Sequence, residues 1–250
     1  MISIVVCNLL FDFAEKHMNE DRVFVCRFAM RPTYVIASNA LVKELLEIDQ
    51  DQTYNGLQDF FFGLFGPNIL FANMSELKAM REILLPLMQP SAIQNYNSIM
   101  EDLVSTWIFN EIHHGQPVVM YEKFKKFSTM LSLKLFLGLE DSSADHLSTL
   151  ATTHWHGIIS VPLNVKMSFF MSSSYRKATE AKEEILKIIE QRLEQKGSDF
   201  LKQVQEKCLN VVDIEFLKNT ILLFTCALIP KALASLLTSF VDTSSLWYVT

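Results

Sequence analysis

Apolar residues recur at helical spacing along most of this chain, and a strand-like pattern is confined to one place near the start. Leu9, Leu10, Phe13 and Ala14 mark a helical stripe over residues 9–19. Residues 23–29 and 33–37 are instead rich in β-branched and aromatic side chains. Arg31-Pro32 separates them, which predicts a hairpin. Ser38 is the expected N-cap of a helix through Glu47, with Leu41, Leu45 and Leu46 on its inner side. Residues 49–58 are polar and carry Gly56, so they predict a loop. Residues 60–67, Phe-Phe-Phe-Gly-Leu-Phe-Gly-Pro, are strongly apolar without a period. They predict an aromatic-rich loop that either fills core or lines a cavity.

Helical spacing returns over residues 75–85, with Ser75 as the expected cap and Pro86 as the stop or kink. Pro90 opens a further helix to Asn110, and His113-His114-Gly115 ends it. Residues 121–139 form a long amphipathic stretch with Phe124, Phe127, Leu131, Leu135 and Phe136 inward and Gly138 near its end. Residues 145–159 are expected to be helical and residues 161–164 to break the helix. Residues 174–195 are charged outside, with Ile185, Ile188, Ile189 and Leu193 on one stripe. Asp213 is the expected cap of a last apolar helix reaching Phe240. The fold class this predicts is mainly α, with a small β hairpin near the start.

Composition agrees. Half of the 250 residues are apolar and 19 are Phe, enough for a sizeable core, while Gly and Pro number only 7 each. An all-β chain needs more turns than that. The net charge is −6 with no basic block, so nucleic acid is not an expected partner. Cys7, Cys26, Cys208 and Cys226 form no CxxC pair and predict reduced, mostly buried thiols. The apolar start of the chain is interrupted by Asn8 and Asp12, short of the roughly 20 apolar residues of a membrane span. Residues 221–241 are the only other long apolar run. Pro230 and Lys231 at its middle favour a buried helix over a span. His154 and His156, one residue apart, point to different helix faces and predict no metal site.

Residues 66–81, Gly-Pro-Asn-Ile-Leu-Phe-Ala-Asn-Met-Ser-Glu-Leu-Lys-Ala-Met-Arg, resemble the loop and helix C of the cytochromes P450. The family has an apolar lead-in, a Gly, a Trp or His, and an Arg four residues later. This chain keeps Ile69-Leu70-Phe71-Ala72 and Arg81, with Met74 in place of the Gly and Leu77 in place of the aromatic. The early hairpin resembles the family's first sheet, and residues 124–138 resemble helix E. Gly157-Ile-Ile-Ser-Val-Pro-Leu-Asn164 followed by Tyr175-Arg176-Lys177-Ala178 resembles the helix F to helix G region of the retinoic-acid and plant steroid hydroxylases. Residues 199–201 and the apolar helix after them match helices H and I in order. The resemblance implies one incomplete cytochrome P450 domain over residues 1–250, from about helix A to helix I, with residues 241–250 as a tail outside the family.

What the resemblance implies chemically is a haem cofactor, a lipophilic substrate such as a sterol or retinoid, and an electron-donating reductase. It also implies the endoplasmic reticulum membrane, with possible peripheral membrane contact; the absence of an N-terminal anchor leaves the cytoplasm open. Arg81, assisted by Lys78, is expected to hold the haem propionates, because an Arg fork matches a carboxylate. Phe60, Phe61, Phe65, Ile69, Phe71 and Ala227 are expected to line the substrate pocket, with residues 157–170 beside them. The family's helix I carries an acid and then a Thr for proton delivery. The matching stretch here is Thr225-Cys226-Ala227-Leu228-Ile229-Pro230, with Leu228 at the acid and Ile229 at the Thr. The family's haem-ligating Cys loop, Phe-x-x-Gly-x-Arg-x-Cys, has no counterpart, so no cysteine is expected to ligate iron. Three readings follow: a haem-thiolate monooxygenase cut before its ligating Cys, a non-catalytic truncated or degenerate family member, or an unrelated helical binding or membrane-associated protein.

Overall fold

The hairpin forms where the β-branched residues lie. Strands β1 (Val23–Phe28) and β2 (Arg31–Ile36) pair antiparallel with Val23 opposite Ile36 and Phe28 opposite Arg31. The computed structural model describes residues 15–18, 20, 22–28, 31–47, 58–111, 119–139, 141–159, 174–208 and 211–247. Residues 15–17 are helical, and the rest of the expected helix over 9–19 lies largely outside the described residues. Helix α1 (Asn39–Glu47) follows the hairpin, with the Val42 N–H bonded to the Ser38 carbonyl at 2.9 Å. Leu45, expected inward, is 46% exposed. Periodicity finds a stripe but not whether a neighbour exists to cover it. Residues 1–54 form one unit and residues 55–250 a second.

The second unit is a helical bundle. Helix α2 (Gln58–Phe65) occupies the stretch whose missing period predicted a loop. Helix α3 (Met74–Leu84) begins at Asn73 rather than at Ser75. The Asn73 side chain accepts the Glu76 N–H, and the Glu76 carboxylate accepts the Asn73 N–H, which completes a capping box. Ser75 is spent on Asn73, to which its hydroxyl donates at 2.6 Å. Asn73→Ala is expected to cost about 1 kcal/mol, read as a lowered urea midpoint at unchanged slope.

The helix predicted to run from Pro90 to Asn110 is broken into α4 (Pro90–Ile93), a tight turn at Gln94–Tyr96 and α5 (Asn97–Glu111). Helix α6 (Met120–Ser132) widens into a π turn at Leu133–Leu137 and stops at Gly138. Helices α7 (Asp141–Ile159) and α8 (Ser174–Glu194) form the most extensive pair, and α9 (Asp199–Cys208) follows. Helix α10 (Ile214–Leu222) widens into a π turn at Leu223–Leu228 and continues as α11 (Ile229–Trp247). As expected, Asp213 caps α10, accepting the Glu215 N–H at 3.1 Å. The expected helix end at 113–115 and the break at 161–164 lie outside the described residues.

Pro230 explains the second π turn. Inside a helix a proline lacks an N–H, and its ring crowds the carbonyl four residues back, here Cys226. Widening the preceding turn relieves that crowding, and the Ile229 N–H reaches the Phe224 carbonyl instead. The main core gathers the inner faces of α3 (Met80, Ile83), α8 (Ile185, Ile189) and α10 (Leu222). The stripes predicted for residues 121–139 and 174–195 are in place: Phe124, Phe127, Leu131, Phe136, Ile185, Ile189 and Leu193 are buried. The segment Ile214–Asp242 is long and apolar enough to cross a membrane, yet half of its most apolar stretch is buried inside the bundle, as in a core helix.

Candidate functional site

The described residues expected to line a pocket pack in or against the main core. Phe65 and Ala227 are buried, 4% and 1% exposed, and belong to one core cluster; Phe61, Ile69 and Phe71 are half-buried against it. Phe61 and Phe65 meet edge to face at 6.3 Å. Phe60 falls in α2, and its side chain is outside the described residues, as is the expected pocket segment beyond Ile159.

Helix α2 exists because its carboxyl end is held. The last carbonyls of a helix lack partners of their own. His154, on α7, sits 2.9 Å by Nε2 from the Leu64 carbonyl, and Lys182, on α8, donates to the Gly63 carbonyl at 3.3 Å. The Leu64 carbonyl can only accept, so the His154 Nε2 carries the proton. His154 is 1% exposed and packs edge to face on Phe65 at 5.3 Å. Burial lowers its pKa from 6.5 to about 4, and the Lys182 charge acts the same way while the bond to Leu64 opposes them. Burial also lowers the pKa of Lys182.

The link from α2 to α3 hangs on α10. Gly66 takes φ +63°, and Asn68, fully buried, donates to the Gly66 carbonyl at 2.9 Å and accepts the Leu70 N–H at 2.8 Å. The Ile69 N–H reaches the Thr220 hydroxyl at 3.3 Å. These bonds fix the apolar lead-in Ile69–Ala72 above α10. Nothing in the spacing of apolar residues signals Asn68, His154 or Thr220 as its anchors.

Helix α3 then divides the labour by face. Met80, Ile83 and Leu84 enter the core, while Lys78 and Arg81 lie together on the exposed side, three residues apart. Neither side chain has a hydrogen-bond or ion-pair partner among the described residues. In the π turn after α10 Ala227 is buried and Leu228 is 40% exposed, and Ile229 beyond it is half-buried. Among the described residues no group of His, Cys, Asp and Glu can hold a metal ion. Gly157 and Ala178, which bracket the segment likened to the hydroxylases, face each other between α7 and α8. A Cβ added at Gly157 would lie 2.1 Å from that of Ala178.

A family model described as Cytochrome P450 matches residues 6–246. This chain belongs to the cytochrome P450 family. The match crosses both units and removes the reading as an unrelated helical protein. The chain is 23% identical over 189 residues to a beta-amyrin 28-monooxygenase of Medicago truncatula, covering 73% of this chain and 38% of that protein. It is 23% identical over 194 residues to a cholesterol 16,22-dihydroxylase of Paris polyphylla, covering 76% of this chain and 39% of that one. Among solved structures, the retinoic acid-bound cyanobacterial CYP120A1 has a TM-score of 0.66 at 20% identity, covering 82% of this chain and 48% of that one. That likeness shows the fold. The chain thus spans less than half the length of these relatives.

As a P450, the family implies haem, whose iron activates oxygen when held by a thiolate. The described residues of this P450 chain fit one side of that group and not the other. Lys78 and Arg81 present two exposed cations on one helix face, without an ion-pair partner among the described residues, which suits a pair of propionates. Cys208 and Cys226 are buried, and burial pushes both thiols up to about 11. An axial ligand must be a thiolate, so neither cysteine fits.

Proposed function

We propose that these residues form the distal wall and propionate face of a haem-dependent oxygenase site for a lipophilic polycyclic substrate, a triterpenoid or sterol. Arg81 and Lys78 hold the propionates; Phe61, Phe65, Ile69, Phe71 and Ala227 form the apolar wall. The observation that carries this is the division of α3, whose inner face shares a core with Phe65 and Ala227 while its outer face exposes Arg81 and Lys78 together, neither paired among the described residues. The relatives' names, a beta-amyrin 28-monooxygenase and a cholesterol 16,22-dihydroxylase, support the substrate class. Electrons come from a partner reductase, and the protein works at the endoplasmic reticulum membrane.

Titration of the chain with hemin, followed by tryptophan quenching, tests the propionate role. Arg81→Ala is expected to weaken binding by about tenfold or more, as loss of a charge-assisted hydrogen bond of about 1.5–3 kcal/mol requires. Its unfolding free energy should stay within about 0.5 kcal/mol of the parent's, because Arg81 is exposed. Unchanged hemin affinity in Arg81→Ala and Lys78→Ala would overturn the assignment.

One observation favours a second reading, a non-catalytic family member. Leu228 and Ile229 cannot donate or relay a proton from the positions where the family has an acid and a Thr.

A further inference from the structure

Helix α2 packs on α7 and α8, and the Gly63 and Leu64 carbonyls near its carboxyl end are both held from those two helices. Both holders are titratable. His154 is enclosed, 1% exposed, between the Leu64 carbonyl and the Phe65 ring. Lys182 is the charged group that acts on it, and the Glu215 and Glu183 carboxylates help to keep that lysine charged. Among the described residues no carboxylate pairs with His154 to offset a proton. A proton there would be a buried charge beside a like charge, which both burial and repulsion disfavour. At its other side α2 ends on Gly66, φ +63°, and beyond it the Ile69 N–H ties the lead-in to Thr220 of α10. A movement of α2 can therefore stop at Gly66 without pulling on α3.

We propose that α2 is an acid-released segment: a proton taken up by His154 frees α2 from α7 and α8 while α3, α8 and α10 stay folded around their shared core. Burial, and with it the Lys182 charge, holds the enclosed imidazole down to about 4. When α2 lifts off, His154 meets water and regains its ordinary affinity for a proton. The closed form is thus fully favoured above about pH 6.5 and loses ground as the pH falls toward 4. Release uncovers Phe61 and Phe65. Its effect on a substrate rests on the wall assigned to them above; the release itself does not.

Amide hydrogen exchange of the folded chain, corrected for the intrinsic effect of pH, tests the proposal. The Gly66 N–H, bonded to the Phe62 carbonyl at 2.7 Å, reports on α2, and the Ile185 and Ile189 N–H groups report on the core of α8. Between about pH 6.5 and about pH 4.5 the protection of Gly66 should fall about tenfold or more. About 1 M urea should barely change it, because little surface opens. Ile185 and Ile189 should stay better protected at both pH values and respond to urea in full. His154→Gln, with folding checked by the thermal transition, should make the protection of Gly66 flat with pH. A Gly66 N–H that exchanges with the same urea dependence as Ile185 at the lower pH means that the whole unit opens, and it overturns the proposal. A flat Gly66 in the parent does the same, and a fall in His154→Gln equal to the parent's overturns the role given to His154.

Discussion

Gly138→Ala is expected to destabilise the 55–250 unit by about 3 kcal/mol, through backbone strain and overpacking together. Gly138 ends the π turn of α6 in the left-handed region, φ +62°, and its N–H closes that turn on the Lys134 carbonyl at 3.0 Å. A Cβ costs about 1–2 kcal/mol in that conformation. It would also lie 2.1 Å from the Gly197 carbonyl oxygen and 2.9 Å from its carbon. Both are backbone atoms and cannot swing away. They are fixed further by Arg192, which donates to the Leu137 carbonyl at 2.9 Å, to the Gly197 carbonyl at 3.1 Å and to the Gly138 carbonyl. Overpacking such a site adds about 1–3 kcal/mol. At about 2–4 °C per kcal/mol for a chain of this size, the thermal midpoint should fall by about 10 °C. Gly63→Ala is the contrast. Its Cβ would meet the Tyr175 hydroxyl at 2.4 Å, the far end of a side chain that can turn. A midpoint for Gly138→Ala within a degree or two of the parent would mean that the junction of α6, α8 and α9 yields easily.

The second large effect is acid lability from His154. Its folded pKa is about 4 against 6.5 in the open chain, with burial as the first cause. A base whose pKa is depressed on folding binds its proton more readily when unfolded. Stability is therefore full above about pH 6.5 and is lost as the pH falls toward 4. The shift corresponds to roughly 3 kcal/mol at the acid end. The physical event is protonation of a ring shut between Phe65 and the carboxyl end of α2, beside the Lys182 charge. His154→Gln keeps a neutral donor toward the Leu64 carbonyl and removes the titration. Its urea midpoint should change less between pH 6.5 and 4 than the parent's. His154→Leu leaves the carbonyl unpaired and should cost about 1–3 kcal/mol at every pH. A parent midpoint that is flat from pH 6.5 to 4 would contradict the buried neutral state.

Much of the fold was legible because long helices announce themselves by period. The stripes on α6 and α8 and the cap at Asp213 lie where spacing put them. The misreadings share a cause in tertiary contacts. Residues 60–65 have no period because α2 is apolar on several sides, and its helicity depends on His154 and Lys182, about 90 and 120 residues away. At α3 the cap is Asn73, two residues before the expected Ser75, because the Glu76 side chain completes a capping box with it. Leu45 has the right phase to be inside, yet phase does not supply a covering partner. The candidate site was legible through resemblance rather than through spacing. Lys78 and Arg81 stand out only because a motif surrounds them.

The absorption spectrum of the reduced, carbon monoxide-treated chain after loading with hemin tests the central claim most directly. That claim is that these residues hold the propionate face of a haem site and provide no thiolate to its iron. The predicted result is saturable hemin binding that weakens in Arg81→Ala, with no thiolate-type carbon monoxide band. A thiolate-type band that disappears on replacing one of Cys7, Cys26, Cys208 or Cys226 by Ser would contradict it.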